Sequence, residues 1–354
     1  MQRVLLVFVL VLLLAVSLAV GAAAAAWPFW SRALAWRDAP EGWPASLPGP
    51  ARELQAADEP LPLRLRVDPA LSEVAQASGA QWLILADGPD AARAWFAPGL
   101  DEHSLVDGRG LAPALLPLVY AALEADHPGI LDQPLSQRLR EWSRDPRGAI
   151  TPRQLMWQLS GLAGGSRQPW NPFDPQAQLL AGPDFTRAAL DVRQVFPVET
   201  VHVWSPANAQ LLALLAGRLS SGSYADLLDT VLWRRLAASD AHATLDHPRG
   251  DIAAHCCISA TAGDWFRVAL MLAQRGSVGG RSLLPPERLQ DIGVGHMLNP
   301  TQGLVWQIER VEGIEVLMLR TTGRMLAAVP ASGAALFWAG EGQLPVDQAV
   351  RLLQ

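Results

Sequence analysis

An apolar run near the amino terminus places the strongest constraint on this chain. It covers residues 4–27 and is interrupted only by one serine and one glycine. A helix of about 20 apolar residues crosses a bilayer, whereas the apolar part of a cleaved signal peptide has about 7–15. The length favours an inner-membrane anchor within residues 1–26, inserted through residues 4–26. The alanine tract at 22–26 also allows a cleaved signal, so the remaining chain is expected in the periplasm, either tethered or released.

The composition after this run is that of a folded domain. The chain has 354 residues, of which 50% are hydrophobic and 18% are charged, enough to bury a sizeable core. The net charge of −6 and the lack of a basic block argue against a nucleic-acid partner. All 28 Lys+Arg residues are arginines, so the sequence excludes every mechanism that needs a lysine amine.

The two cysteines are adjacent residues, Cys256 and Cys257. Disulfides usually need a wider Cα separation than neighbours provide, so the sequence favours two buried free thiols over a strained redox pair. No C-x-x-C spacing or His/Cys cluster indicates a metal, and no dinucleotide or phosphate-binding motif indicates a cofactor. The seven histidines are interpreted as surface or hydrogen-bonded polar residues.

The pattern along the chain predicts one α+β domain over residues 61–354, preceded by a tether or surface-wrapped segment rich in Pro, Ala and Trp over 27–60. Apolar runs of helical length predict helices at 112–125, 206–219 and 224–236. Thr151, followed by Pro152, indicates the start of a further helix that ends near residue 160. Thr261 resembles a helix cap and indicates another helix that extends to residue 274. Short apolar runs between turn residues predict strands at 82–86, 305–310, 315–320, 325–329 and 334–338, followed by a helix at 346–353. Strands from both ends of the chain are expected to share one antiparallel sheet, with helices on its faces and an all-helical region between.

Five segments then point to a known family. They lie, in order, at 97–101, 131–134, 150–162, 205–212 and 255–265. The third reads I-T-P-R-Q-L followed by L-S-G-L, and the last contains C-C-I-S-A-T-A-G-D-W. In order and spacing they resemble the serine β-lactamase and penicillin-binding-protein-like hydrolases, most closely the 6-aminohexanoate oligomer hydrolase branch. The resemblance implies a β-lactamase/transpeptidase-like fold and acyl transfer through a serine.

The family's chemistry depends on an S-x-x-K element, which places the nucleophile and its base one helical turn apart. The matching positions hold Gly110 and Pro113; a register three residues earlier gives Asp107 and Gly110. Neither register contains the pair. A rewired nucleophile, Ser104 beside His103, is the alternative that would restore an active hydrolase.

The other two elements of the family have also changed. The tyrosine motif aligns with Trp204-Ser205-Pro206, and an indole cannot act as a base. The K-T-G or H-x-G element aligns with Thr321-Thr322-Gly323, which keeps the glycine without the cation. The neighbouring Arg320 need not replace that cation, because adjacent strand residues point to opposite faces.

We therefore expect an exported, membrane-tethered homologue of the serine hydrolases that binds a ligand and is catalytically inactive. The alternative is an amide or ester hydrolase with an unorthodox nucleophile. The expected ligand is a peptide, a peptidoglycan-like molecule or a protein. The candidate ligand-binding residues are Trp204, Ser205, Asn208, Thr321 and Thr322.

Overall fold

The computed structural model describes residues 2–38, 48–58, 63–88, 91–165 and 171–354. Its α-helices are α1 (Gln2–Arg37), α2 (Ser72–Ala77), α3 (Leu115–Leu123), α4 (Pro152–Met156), α5 (Pro175–Ala181), α6 (Phe185–Asp191), α7 (Pro206–Leu219), α8 (Tyr224–Leu228), α9 (Ala262–Ala273) and α10 (Val346–Leu352). Its strands are β1 (Ala51–Leu54), β2 (Leu65–Val67), β3 (Ala80–Ala86), β4 (Ala92–Phe96), β5 (Leu105–Asp107), β6 (Ala241–Thr244), β7 (Ile258–Thr261), β8 (Ser277–Val278), β9 (Arg281–Ser282), β10 (Gln307–Val311), β11 (Ile314–Thr321), β12 (Arg324–Val329) and β13 (Ala334–Gly340).

A seven-stranded sheet joins the two ends of the domain in the order β10-β11-β12-β13-β3-β4-β2. Its pairs are antiparallel except for the outer pair of β2 with β4. Phe337 of β13 lies opposite Ile84 of β3, which fixes the register between the two halves. The predicted α+β class and the shared sheet are confirmed.

Both faces of this sheet are covered, which explains why β13 is apolar at every position. Ala335, Phe337 and Ala339 lie in the main core with α9. The alternate residues of β13 lie in a second core with α10. Successive strand residues point to opposite faces, so a strand between two helical layers reads as one continuous apolar run.

The helices between the sheet strands agree with the sequence pattern, with two local departures. The Thr261 hydroxyl accepts a hydrogen bond from the backbone N–H of Asp264, as predicted for a cap, and the Thr151 hydroxyl accepts one from that of Gln154. The predicted helix at 112–125 starts as a 3-10 segment, Arg109–Ala114, before α3, and the one at 224–236 passes from α8 into a π-helix, Asp229–Trp233.

Helix α1 extends beyond the predicted anchor and packs on the domain. It bends by 50° between Val9–Ala24 and Ala26–Arg37. Pro28, just after the bend, cannot donate to the preceding turn. Within the described part of the chain, no single straight helix is long and apolar enough to cross a membrane. The two parts of α1 are long and apolar enough only when taken together, as a bent pair.

Part of the segment expected to be a tether or a surface-wrapped stretch lies against the domain. The buried Arg32 side chain donates hydrogen bonds to the carbonyl oxygens of Pro48, Gly182 and Leu245. Strand β1 pairs antiparallel with β6. The Gly42-Trp43-Pro44 stretch of that segment lies outside the described residues.

Candidate functional site

A cavity of about 490 Å³ brings together residues from three separate sequence motifs. Gly110, Trp204 and Thr321 all line it. They come from the 3-10 segment after β5, from the residue two before α7, and from the end of β11. The fold thus places the three aligned positions around one space, although they are far apart in sequence.

The 3-10 segment puts glycine at the cavity surface and proline in the core. Gly110 lines the cavity, while Pro113 is buried inside the segment and does not line it. In the alternative register, the Asp107 carboxylate accepts a hydrogen bond from the backbone N–H of Arg109 at 2.9 Å. Burial raises the pKa of Asp107, opposed by that bond and by the nearby arginines.

At the β11–β12 turn, the residues of the third motif line two different cavities. Thr321 lines both, whereas Thr322 and Gly323 line only a neighbouring cavity of about 500 Å³. Gly323 has φ of 69°, and a Cβ there would come within 2.5 Å of the Gly340 carbonyl oxygen. Glycine is required at this turn by both its backbone conformation and the close approach of β13.

Two arginines that the sequence did not single out hold these motifs together. Arg324 is 6% exposed and donates to the carbonyl oxygens of Asp107 at 2.8 Å and Gly323 at 2.6 Å. Arg109 donates to the carbonyl of Thr322 at 2.8 Å. Burial, and secondly Arg109, lowers the pKa of Arg324 to about 10, so it stays charged at neutral pH. The sequence offered one signal for these arginines, because each is adjacent to a glycine of a family motif.

Arg320, which adjoins the third motif, also lines the main cavity. Its guanidinium donates to the Glu309 carboxylate at 3.0 Å and to the side-chain oxygen of Gln307. Its charge is therefore already paired across the sheet with Glu309, on the neighbouring strand β10.

Near the start of α7, Trp204 lies at the cavity, whereas Ser205 and Asn208 lie in the core. The Trp204 side chain is 44% exposed and lines the cavity. Ser205 and Asn208 are fully buried: the Ser205 hydroxyl donates to the carbonyl of Ala163, and the Asn208 amide donates to Gln158 Oε1 at 2.6 Å. The structure therefore does not bring Ser205 and Asn208 into the cavity; they fix the backbone next to Trp204.

His255 also lines the cavity, although no role was predicted for it from the sequence. It is 4% exposed, its Nδ1 lies 3.5 Å from Gln210 Oε1, and its ring edge meets Phe185. Its Nε2 is fully buried. Burial lowers the pKa of His255 to about 4, only partly opposed by the Leu179 backbone, so the imidazole is neutral at pH 7.

The prediction of free thiols next to His255 is wrong, because Cys256 and Cys257 form a disulfide. Cys257 has φ of 69°, a left-handed conformation that lets two neighbouring side chains meet. Its backbone N–H also donates to the carbonyl of Arg109 at 3.0 Å. The bonded pair therefore belongs to the same framework that supports Gly110.

The comparisons with known proteins agree with this arrangement. A family model described as Beta-lactamase matches residues 118–343. The chain belongs to the Beta-lactamase family. The family resemblance seen in the sequence is thereby confirmed, and no curated protein matches the chain.

Solved structures similar to this Beta-lactamase-family chain have the same fold at low identity. A protein from Bacillus anthracis, named as a candidate 6-aminohexanoate-dimer hydrolase, has a TM-score of 0.70 and 14% identity over 86% of this chain and 88% of its own. A penicillin-binding protein from Bacillus halodurans has a TM-score of 0.61 and 14% identity over 80% and 98%. A D-amino acid amidase from Ochrobactrum anthropi has a TM-score of 0.58 and 15% identity over 79% and 98%. At this identity the similarity establishes the fold alone.

Other groups considered for chemistry lie elsewhere in this Beta-lactamase-family domain. The Ser104 hydroxyl donates to the Asp101 carboxylate at 2.8 Å and does not line the cavity. The two tyrosines of the chain, Tyr120 and Tyr224, are buried in α3 and at the start of α8. The described residues contain no cluster of three or more His, Cys, Asp or Glu side chains that could hold a metal.

Proposed function

We propose that this protein is an exported, membrane-tethered member of the Beta-lactamase family that binds a ligand in the main cavity without cleaving it. The observation that carries the proposal is Gly110, which lines the cavity and which the motif alignment matches to the family's serine. Pro113 occupies the position of the base, and the sequence contains no lysine to replace it. A serine hydroxyl needs an adjacent base to attack a carbonyl at neutral pH.

The remaining cavity groups suit binding better than acyl transfer. Among the described residues that line the cavity, Thr321 carries the only hydroxyl. Burial lowers the pKa of His202, with Gln302 opposing the shift, and His255 is likewise neutral at pH 7. The volume of about 490 Å³ is typical of small-molecule sites, which are mostly apolar with a few polar groups.

The test of inactivity is covalent labelling of the full-length protein. After incubation with a fluorophosphonate and, separately, with penicillin, intact mass spectrometry is expected to show no adduct. An active penicillin-binding protein, treated in parallel, provides the positive control. A stoichiometric adduct mapped to Thr321, Ser104 or any serine would instead establish the alternative of an active hydrolase.

The proposed tether is supported by the exposed apolar side chains of α1 between Val9 and Val20. Such a surface is costly in water and favourable in a bilayer. Added protease is expected to digest the domain in spheroplasts, and alkaline carbonate is expected to leave the protein in the membrane fraction. Protection from the protease would contradict export, whereas release by carbonate would contradict only the tether.

A further inference from the structure

The last turn of α1 forms part of the cavity wall. Trp36 lines the cavity, and its indole N–H donates to the carbonyl of Leu180 at 3.1 Å. Leu180, on α5, lines the cavity as well. The helix that starts with the apolar run therefore ends at the site.

This part of α1 is held against the domain by buried contacts. Phe29 and Ala33 pack with Ala177 and Ala181 of α5. Between them, the buried guanidinium of Arg32 bonds to backbone carbonyls from three separate segments. Breaking these contacts would leave buried polar groups unpaired, so the helix and the cavity are expected to keep one relative position.

The cavity consequently lies close to the end of the apolar run. Trp27 is 62% exposed and is the last residue of that run, and tryptophan is enriched at the boundary between lipid and water. Trp36 is nine residues further along the helix, a rise of about 14 Å. The polar layer of a bilayer is itself about 5–8 Å deep on each side. An extended head group can therefore span the distance between the membrane and the cavity.

The chemistry of the lining defines the kind of head group. Trp36 and Trp204 supply aromatic surface, while two glutamines, two neutral histidines and Thr321 supply hydrogen-bonding groups. No carboxylate lines the cavity within the described part of the chain, and the one charged lining residue, Arg320, is paired with Glu309. Such a lining favours an uncharged polar group over an ion, because an ion would lose its hydration without gaining an unpaired partner.

We propose that the cavity binds the uncharged polar head group of a membrane amphiphile, which enters past Trp36 while its acyl chains stay in the bilayer. This inference rests on the proposed membrane tether and goes beyond it by giving the ligand class and its route. Lining groups such as Gln302 and Thr321 are the ones we assign to the hydroxyl or carbonyl groups of that head group.

The experiment uses the full-length protein in phosphatidylcholine nanodiscs that contain a diacylglycerol glycolipid with a diazirine on its sugar. After irradiation, peptide mapping is expected to find cross-links on the segments around Trp204 and at 302–307. The blocking variant is Gly165→Phe, because Gly165 lines the cavity and no described atom lies within 4 Å of a Cβ built there. Cavity cross-links are expected to fall by about tenfold in this variant, equivalent to about 1.4 kcal/mol of binding free energy. Gly88→Phe is the matched control: it has the same open surroundings outside the cavity and is expected to label like the wild type.

Each other outcome overturns a stated part of the inference. Cross-links confined to α1 would mean that the head group does not reach the cavity. Equal cavity labelling by the same diazirine sugar without acyl chains would refute delivery from the membrane. Equal labelling by a phosphatidylglycerol probe would refute selection for an uncharged group. Carbonate extraction of native membranes tests the tether independently. If the protein stays in the membrane fraction but the cavity is not cross-linked, the head-group inference is refuted and the proposed tether is not.

Discussion

Burial of the His255 imidazole is expected to make the stability of the domain depend on pH in the acidic range. The pKa of this side chain falls from 6.5 to about 4 on folding. As the pH drops, the unfolded chain therefore takes up the proton first, and protonation favours unfolding. The stabilisation is complete above pH 6.5 and is lost as the pH falls towards 4. One pKa unit corresponds to about 1.4 kcal/mol, so the full loss is about 3 kcal/mol, of which about 2.5 kcal/mol falls between pH 7.5 and 4.5.

Urea unfolding of the wild type and His255→Gln, both in the same mild detergent at pH 7.5 and 4.5, measures this contribution. The free energy of unfolding of the wild type is expected to drop by about 2.5 kcal/mol more than that of the variant. Carboxylates such as Asp246 and Asp264 also titrate, but they are common to both proteins and cancel in the comparison. His103→Gln, which removes a histidine whose side chain is 77% exposed, is expected to keep the wild-type response. Equal pH-dependent losses in the wild type and His255→Gln would refute the reasoning.

Three further predictions address the cavity framework. Arg324→Met removes the hydrogen bonds to the carbonyls of Asp107 and Gly323, of which the second still accepts from the Gly340 N–H. The variant is expected to lower the free energy of unfolding in urea by about 1–3 kcal/mol, whereas Arg320→Met, at an exposed ion pair, costs under about 1 kcal/mol; equal losses would contradict the bracing role. A fluorophosphonate should label the triple variant Gly110→Ser/Pro113→Lys/Trp204→Tyr at least about tenfold faster than Gly110→Ser alone, because a general base contributes about 10²–10⁴-fold to the rate. Equal labelling rates would show that the aligned positions lack catalytic geometry. An alkylating reagent is expected to modify neither cysteine without a reductant and both cysteines after reduction, as measured by intact mass spectrometry. Modification without reduction would contradict the disulfide.

The sheet was predictable because its constraint is local. Short apolar runs separated by glycine and proline allow few structures other than antiparallel strands, and β10–β13 appear close to the predicted positions. Caps are equally local, since Thr151 and Thr261 each bond to a backbone N–H three residues later. Of the candidate site, Gly110, Trp204 and Thr321 were placed by aligned motifs, and the fold brings them together.

The features that the sequence missed depend on contacts between distant segments. A serine and an asparagine at a helix start look like ligand-binding groups, but Ser205 and Asn208 are fully buried and bonded within the protein. Cys257 of the disulfide has a left-handed backbone conformation, which no pattern in the neighbouring residues signals. Trp36 entered the cavity because α1 continues past the residue where the apolar run ends.

The arginines beside the motif glycines bear directly on how the site works. Arg109 and Arg324 connect the segment around Gly110 to the β11–β12 turn entirely through backbone carbonyls. Burying these cations carries a desolvation cost, which the bonds to carbonyls offset only if the two segments stay close. A catalytic site would need such rigidity to align a nucleophile with its base, but both are missing from the aligned positions. Rigidity also serves binding, because a cavity already formed in the free protein loses less conformational entropy when a ligand enters. A rigid framework around a glycine is therefore what the proposed binding function requires.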